Sequence, residues 1–133
     1  MLKIGLFGLG HLGKIHAKLI LELSDLYEFV GFYDPNDANA EFASSEMGLK
    51  RYTDIKTLID AVDVIDIVTP TISHFDIASV AIRNSKHVFI EKPVTQTNEE
   101  AKKLRLLAQE AEVKVQVGHV EPFKPAFKNA LPY

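Results

Sequence analysis

The sequence predicts an α/β fold: a single domain built on a doubly wound, mostly parallel sheet. Three observations carry that prediction. Short runs rich in Val, Ile and Phe alternate with segments of helical apolar spacing. The runs are apolar almost throughout, as strands covered on both faces must be. A glycine-rich segment stands at the first passage from strand to helix. Buried strands joined by helices give a parallel sheet with helices on both faces.

Each element has its own warrant. Leu2 to Phe7 reads as a buried strand, followed by the glycines of Gly8 to Gly13. Ile15, Leu19 and Leu23 recur at helical spacing, so a helix begins near His11. Tyr27 to Asp34 is a second strand, with Phe29, Val30, Phe32 and Tyr33 supplying β propensity. Pro35-Asn36-Asp37 is a turn or helix start, and Ala38 to Met47 a short helix closed by Gly48. Thr53-Asp54 offers an N-cap for Ile55 to Ala61. Val62 to Val68 reads as a central strand ended by Thr69-Pro70-Thr71. Ser73 is expected to cap a helix from His74 to about Asn84, with Asp76 placed to suit the helix dipole. His87 to Ile90 is a fourth strand, closed by Glu91-Lys92-Pro93. Thr97 and Glu100 form a capping box for a helix to about Glu112, and Lys114 to Val117 is a further strand. The tail, with Pro122, Pro125 and Pro132, looks like an exit segment. The domain is therefore placed at 1–120, with 121–133 opening a linker.

Composition narrows the function classes. The 133 residues carry 47% hydrophobic and 25% charged residues, enough for a core without staples. Net charge is −3 with no long basic tract, so nucleic acid and anionic membrane are poor partners. The absence of cysteine excludes disulfides, thiolate metal sites and cysteine nucleophiles. The opening Met1-Leu2-Lys3-Ile4-Gly5 lacks the apolar core and cleavage site of a signal peptide. No stretch approaches the roughly 18 apolar residues of a membrane span. A cytoplasmic location is expected.

Gly8-Leu9-Gly10-His11-Leu12-Gly13 matches G-x-G-x-x-G. Alone the pattern is weak; between a strand and a helix, and ahead of an acid at the end of the next strand, it points to a dinucleotide. Gly8 permits the tight turn, Gly10 lets a pyrophosphate approach the backbone, and Gly13 lets the helix pack close to the sheet. Amide groups of His11 and Leu12 belong to the helix N-terminus that would hold the anion. Asp34 follows Gly13 by 21 residues. A carboxylate there can accept both ribose hydroxyls and would repel a 2′-phosphate. No Arg or Lys adjoins it in sequence, so NAD is favoured over NADP. The bland alternatives are a glycine turn without ligand, and an Asp34 that only caps the next turn.

Thr69-Pro70-Thr71 with Ser73-His74, then Glu91-Lys92-Pro93, then Gly118-His119-Val120-Glu121, go beyond a generic dinucleotide fold. With the glycine motif they make the chain resemble the glucose-fructose oxidoreductase / inositol dehydrogenase (Gfo/Idh/MocA) family, over essentially its whole length. The resemblance implies an N-terminal Rossmann domain of an NAD-dependent dehydrogenase acting on a sugar, cyclitol or sugar nucleotide. It implies a C-terminal α/β domain that binds substrate and commonly makes a homo-oligomer interface. Thr69, Pro70, Thr71 and His74 would line the cofactor cleft, and Glu91, Lys92 and Pro93 would lie near the nicotinamide ribose. Lys92 would handle the hydroxyl proton, a role its charge suits because it stabilises a developing alkoxide. The Lys92–Pro93 bond is often cis in relatives.

His74 and His119 either face the cofactor or are a helix start and a strand end. His16 and His87 read as ordinary helix and strand-start positions, and the histidines show no metal spacing, so no metal is expected. Pro122 and Lys124 stand where relatives often carry Arg and Asn, which unsettles any carry-over from Glu121 onward. The catalytic histidine and acid of the relatives' second domain have no counterpart here, so the 133-residue chain is expected to bind NAD without turning over substrate. Two other readings are a non-catalytic NAD-binding or NAD-sensing module and an S-adenosylmethionine methyltransferase. The third glycine and the Glu-Lys-Pro turn argue against the latter.

Overall fold

The computed structural model describes residues 1–118. The predicted exit segment and His119 lie outside them. The elements are β1 (Leu2–Phe7), α1 (His11–Glu22), β2 (Tyr27–Tyr33), α2 (Asp37–Met47), β3 (Arg51–Tyr52), α3 (Ile55–Ala61), β4 (Val64–Ile67), α4 (His74–Arg83), β5 (His87–Glu91), α5 (Asn98–Ala111) and β6 (Val115–Gly118). A single 3-10 turn, Thr71–Ser73, leads into α4. The strands form one six-stranded sheet in the order β3-β2-β1-β4-β5-β6, with every pair parallel. The order reverses at β1 and β4, and the carboxyl ends of such a pair are where open α/β sheets take ligands.

Each face of the sheet has its own core. Leu6 and Phe32 pack with Leu9, Ala17, Ala40 and Ala43, so α1 and α2 cover one face. Phe7, Ile65, Ile67, Val88 and Ile90 pack with Leu58, Ile59, Ile77, Ala81, Ile82 and Leu104, so α3, α4 and α5 cover the other. The alternation of Leu6 and Phe7 between the two clusters is the period of two that a strand imposes. Each cluster buries side chains worth about 1.5–3 kcal/mol apiece. Among the described residues no helix is long and apolar enough to cross a membrane.

The sequence reading placed most elements within one or two residues. Caps at Asp54 and Thr97 form as expected, accepting from the Thr57 and Glu100 amides, and Gly48 closes α2 at φ +68°. Three details differ. β3, two residues long, was not anticipated. Val62 ends α3 and joins the core, and the next strand starts at Val64 because Asp63 is held to β1: its amide donates to the Lys3 carbonyl and its carboxylate accepts the Lys3 amide. Ser73 is not a side-chain cap. It sits in right-handed helical backbone, and its hydroxyl donates to Thr69 Oγ1 (2.7 Å) and the Pro70 carbonyl (2.9 Å).

Candidate functional site

The three glycines of the first loop do different work. Gly8 has φ +100°, and a Cβ there would lie 2.6 Å from the Val68 carbonyl oxygen of the neighbouring strand's end. A Cβ on Gly13 would run into the Gly8 carbonyl. These two are required by the fold, because backbone blocks backbone. Gly10 is the opposite case. Its φ is −70°, and a Cβ would meet nothing within 4 Å. The side chain is missing where there is open space, which is what a ligand approaching the backbone needs. Gly10 also caps α1 without any side-chain acceptor, whereas Asn36, Asp54 and Thr97 cap α2, α3 and α5. The first-turn amides of α1, including those of His11 and Leu12, therefore have no side-chain cap, at the positive end of a helix that starts just past the carboxyl end of β1. A diphosphate fits this donor set.

Asp34 lies one residue past β2 and is buried at 6% exposure. Its Oδ2 accepts the Leu9 amide (2.8 Å) and Asn39 Nδ2 (3.2 Å), and its Oδ1 accepts the Asn36 amide (2.8 Å). It therefore both ties down the glycine loop and opens the turn into α2. A carboxylate offers about four acceptor positions. Oδ1 retains one for a ribose hydroxyl, and a second hydroxyl has to displace Asn39. The view that no cation stands beside Asp34 holds along the chain and fails in space. The β2–β3 pairing brings up Arg51, whose guanidinium donates to the Asp34 carbonyl (3.1 Å) and pairs with Asp37 (2.9 Å).

Thr69, Pro70 and Thr71 follow the carboxyl end of β4, the strand that pairs with β1, with Pro70 exposed and Ile72 beside it at 70% exposure. His74 is buried at 1% exposure, and both ring nitrogens contact main-chain carbonyls: Nδ1 that of Pro93 at 3.0 Å and Nε2 that of Thr69 at 2.8 Å. The ring thus staples the Thr-Pro-Thr loop to the Glu-Lys-Pro turn and has no nitrogen free for a ligand. The Lys92–Pro93 bond is cis, both residues are exposed, and the Lys92 amide donates to Glu91 Oε2 at 3.2 Å.

The reading of His16 as an ordinary helix position is overturned. Its ring lies between two buried carboxylates, with Nδ1 2.7 Å from Asp66 Oδ2 and Nε2 3.1 Å from Glu91 Oε1. Burial by itself would depress its pKa. The hydrogen bond and charge of Asp66, then the charge and hydrogen bond of Glu91, outweigh it and raise the pKa above the ordinary 6.5. Burial pushes the Asp66 carboxyl up, against the pull of His16. Among the described residues, Asp66 Oδ1 is buried with no hydrogen-bond partner. A charged residue in the middle of the apolar run Val62 to Val68 was the available signal: a buried carboxylate asks for a counter-charge. Gly118 pairs with Glu91 across β5 and β6, and a Cβ there would lie 2.6 Å from the Phe89 ring and 3.2 Å from Glu91 Oε1, so the glycine leaves room for both side chains.

Comparison with known proteins bears on the family and the fold. Residues 2–119 match the Gfo/Idh/MocA family, described as an oxidoreductase family with an NAD-binding Rossmann fold. UDP-N-acetylglucosamine 3-dehydrogenase of Acidithiobacillus ferrooxidans is 35% identical over 127 residues, covering 96% of this chain and 40% of the relative. The scyllo-inositol 2-dehydrogenase (NAD(+)) of Bacillus subtilis is 34% identical over 131 residues, covering 96% and 38%. The crystal structure of a putative myo-inositol dehydrogenase from Sinorhizobium meliloti superposes with a TM-score of 0.88 at 30% identity, covering 97% of this chain and 39% of that one. The chain thus spans about two fifths of the length of the relatives it matches. With the glycine loop, the sheet order and the match over residues 2–119 in agreement, the chain belongs to the Gfo/Idh/MocA oxidoreductase family and is built on its NAD-binding Rossmann fold.

Proposed function

We propose that the chain binds NAD in the crevice between the glycine loop and the Glu-Lys-Pro turn. It serves there as the cofactor domain of a dehydrogenase acting on a hydroxyl of a sugar, cyclitol or sugar nucleotide. The observation that carries the reading is the open space at Gly10 in front of an uncapped helix, beside a buried acid at the end of β2. The α1 amides hold the diphosphate and Asp34 accepts a ribose hydroxyl. Bound NAD supplies the hydride acceptor. Lys92, exposed at the carboxyl edge of β5, takes or relays the proton that the oxidised hydroxyl releases. Substrate recognition is assigned to the part of such dehydrogenases that lies outside the two fifths of the relatives' length this chain matches.

NAD is preferred to NADP because a 2′-phosphate would press against the Asp34 carboxylate, and Arg51, the cation that reaches the Asp34 carbonyl, already pairs with Asp37. Calorimetric titration with NADH, NADPH and S-adenosylmethionine tests the cofactor binding and its specificity. NADH should bind at least about tenfold more tightly than NADPH, a difference of about 1.4 kcal/mol. S-adenosylmethionine should not bind. Equal affinity for NADH and NADPH removes the specificity argument. Absence of NADH binding removes the function.

A further inference from the structure

His16, Asp66 and Glu91 join three segments that the crevice uses: the helix behind the glycine loop, the strand that ends in Thr69-Pro70-Thr71, and the strand that ends in Glu91-Lys92-Pro93. Carboxylates only accept hydrogen bonds, and a neutral imidazole has a single N–H. Both contacts, 2.7 and 3.1 Å, are made only if two protons are shared among the three groups. Remove one, and one contact sets lone pair against lone pair in a buried site. We propose that His16 is a positioning residue for Lys92: clamped between Asp66 and Glu91, it fixes the Glu91 carboxylate, and Glu91, whose Oε2 accepts the Lys92 amide, sets the turn that presents Lys92 to the nicotinamide end of the cofactor.

The proposal rests on the reading that Lys92 faces the nicotinamide. Among the described residues, the charged groups facing the His16 ring are Asp66 from β4 and Glu91 from β5. Titration of this cluster therefore acts on the nicotinamide half of the site and leaves the adenosine half, at Asp34 and Gly10, alone. Alkaline pH, which strips one of the shared protons, should loosen the turn. His16→Asn, which cannot bridge the two carboxylates, should do the same at every pH.

The experiment compares the dissociation constants of NADH and ADP-ribose, which lacks the nicotinamide, for the 133-residue chain across neutral and alkaline pH. In the wild type the preference for NADH over ADP-ribose should fall as pH rises. In His16→Asn it should be about tenfold lower at neutral pH and flat with pH, with ADP-ribose affinity changed less than about twofold. Glu91→Gln, whose amide N–H can donate to Nε2 of a neutral imidazole while Nδ1–H donates to Asp66, satisfies both contacts with one ring proton and should flatten the pH profile. That variant and the wild-type profile decide the matter even if His16→Asn fails to fold. Lys92→Ala separates the two layers. If it leaves the preference unchanged, the nicotinamide reading of Lys92 fails and the proposal with it. If it lowers the preference while the wild-type profile is flat with pH, or while His16→Asn weakens both ligands equally, the positioning role alone is overturned.

Discussion

Gly10→Ala should separate folding from binding. In the free protein the added methyl meets no atom within 4 Å, and the backbone at φ −70°, ψ −162° is open to any residue. The substitution costs the folded state nothing by contact. By trimming the freedom of the unfolded chain it should stabilise by about 0–1 kcal/mol, which raises Tm by up to about 5 °C for a domain of this size. In the complex the same methyl occupies the space through which a diphosphate reaches the α1 amides. Lengthening those charge-assisted hydrogen bonds, each worth about 1.5–3 kcal/mol, weakens NADH by at least about tenfold. Gly13→Ala is the control, because its methyl runs into the Gly8 carbonyl and should lower Tm with or without cofactor. Thermal melts give the first quantity and NADH fluorescence titration the second. If Gly10→Ala bound NADH like the wild type, or melted several degrees lower, the division of labour between the glycines would be wrong.

Two further outcomes are expected. Asp34→Ala strands the Leu9 amide in the interior and should cost about 1–3 kcal/mol by denaturant melts, with NADH binding lost as well; unchanged stability would mean the carboxylate does not hold the loop. Stability should also fall as pH rises above the ordinary histidine value. The His16 pKa is raised above 6.5, so its stabilisation is complete below pH 6.5 and lost as pH climbs through the folded value. Asp66, raised above 3.8, also binds its proton more firmly when folded, so the folded state loses ground as that proton leaves. Asp54, held below 3.8 by its hydrogen bonds to Thr57, acts oppositely and only on the acid side, its contribution fading as pH drops through the depressed value. Asp66→Asn should therefore flatten the alkaline slope in pH-dependent melts, and an unaltered slope would contradict the assignment.

What could be read in advance was whatever is local. The alternation of apolar runs with helical spacing, the glycines of the first loop and the caps at Asp54 and Thr97 depend on neighbours a few residues away. The misses are all long-range or very short. His16 meets partners 50 and 75 positions on, so nothing in its own helix announces them. Arg51 reaches Asp34 only through a pairing of strands whose second member is two residues long, too short to show a period. Ser73 has a capping residue's chemistry, yet the 3-10 turn before α4 redirects its hydroxyl to Thr69 and Pro70. For His74 the sequence left two roles open, and burial gives it a third, tying the Thr-Pro-Thr loop to the Glu-Lys-Pro turn.

The brevity of β3 has a consequence for behaviour at high concentration. A sheet border with a long row of unpaired amides is a template on which other chains can add. On this flank the border is Arg51–Tyr52, with one of its two side chains a cation. Along β3, which pairs with β2 only at Phe32 and Tyr33, a newcomer finds almost no register to lock into, and an insertion that lengthened this outermost strand would supply one.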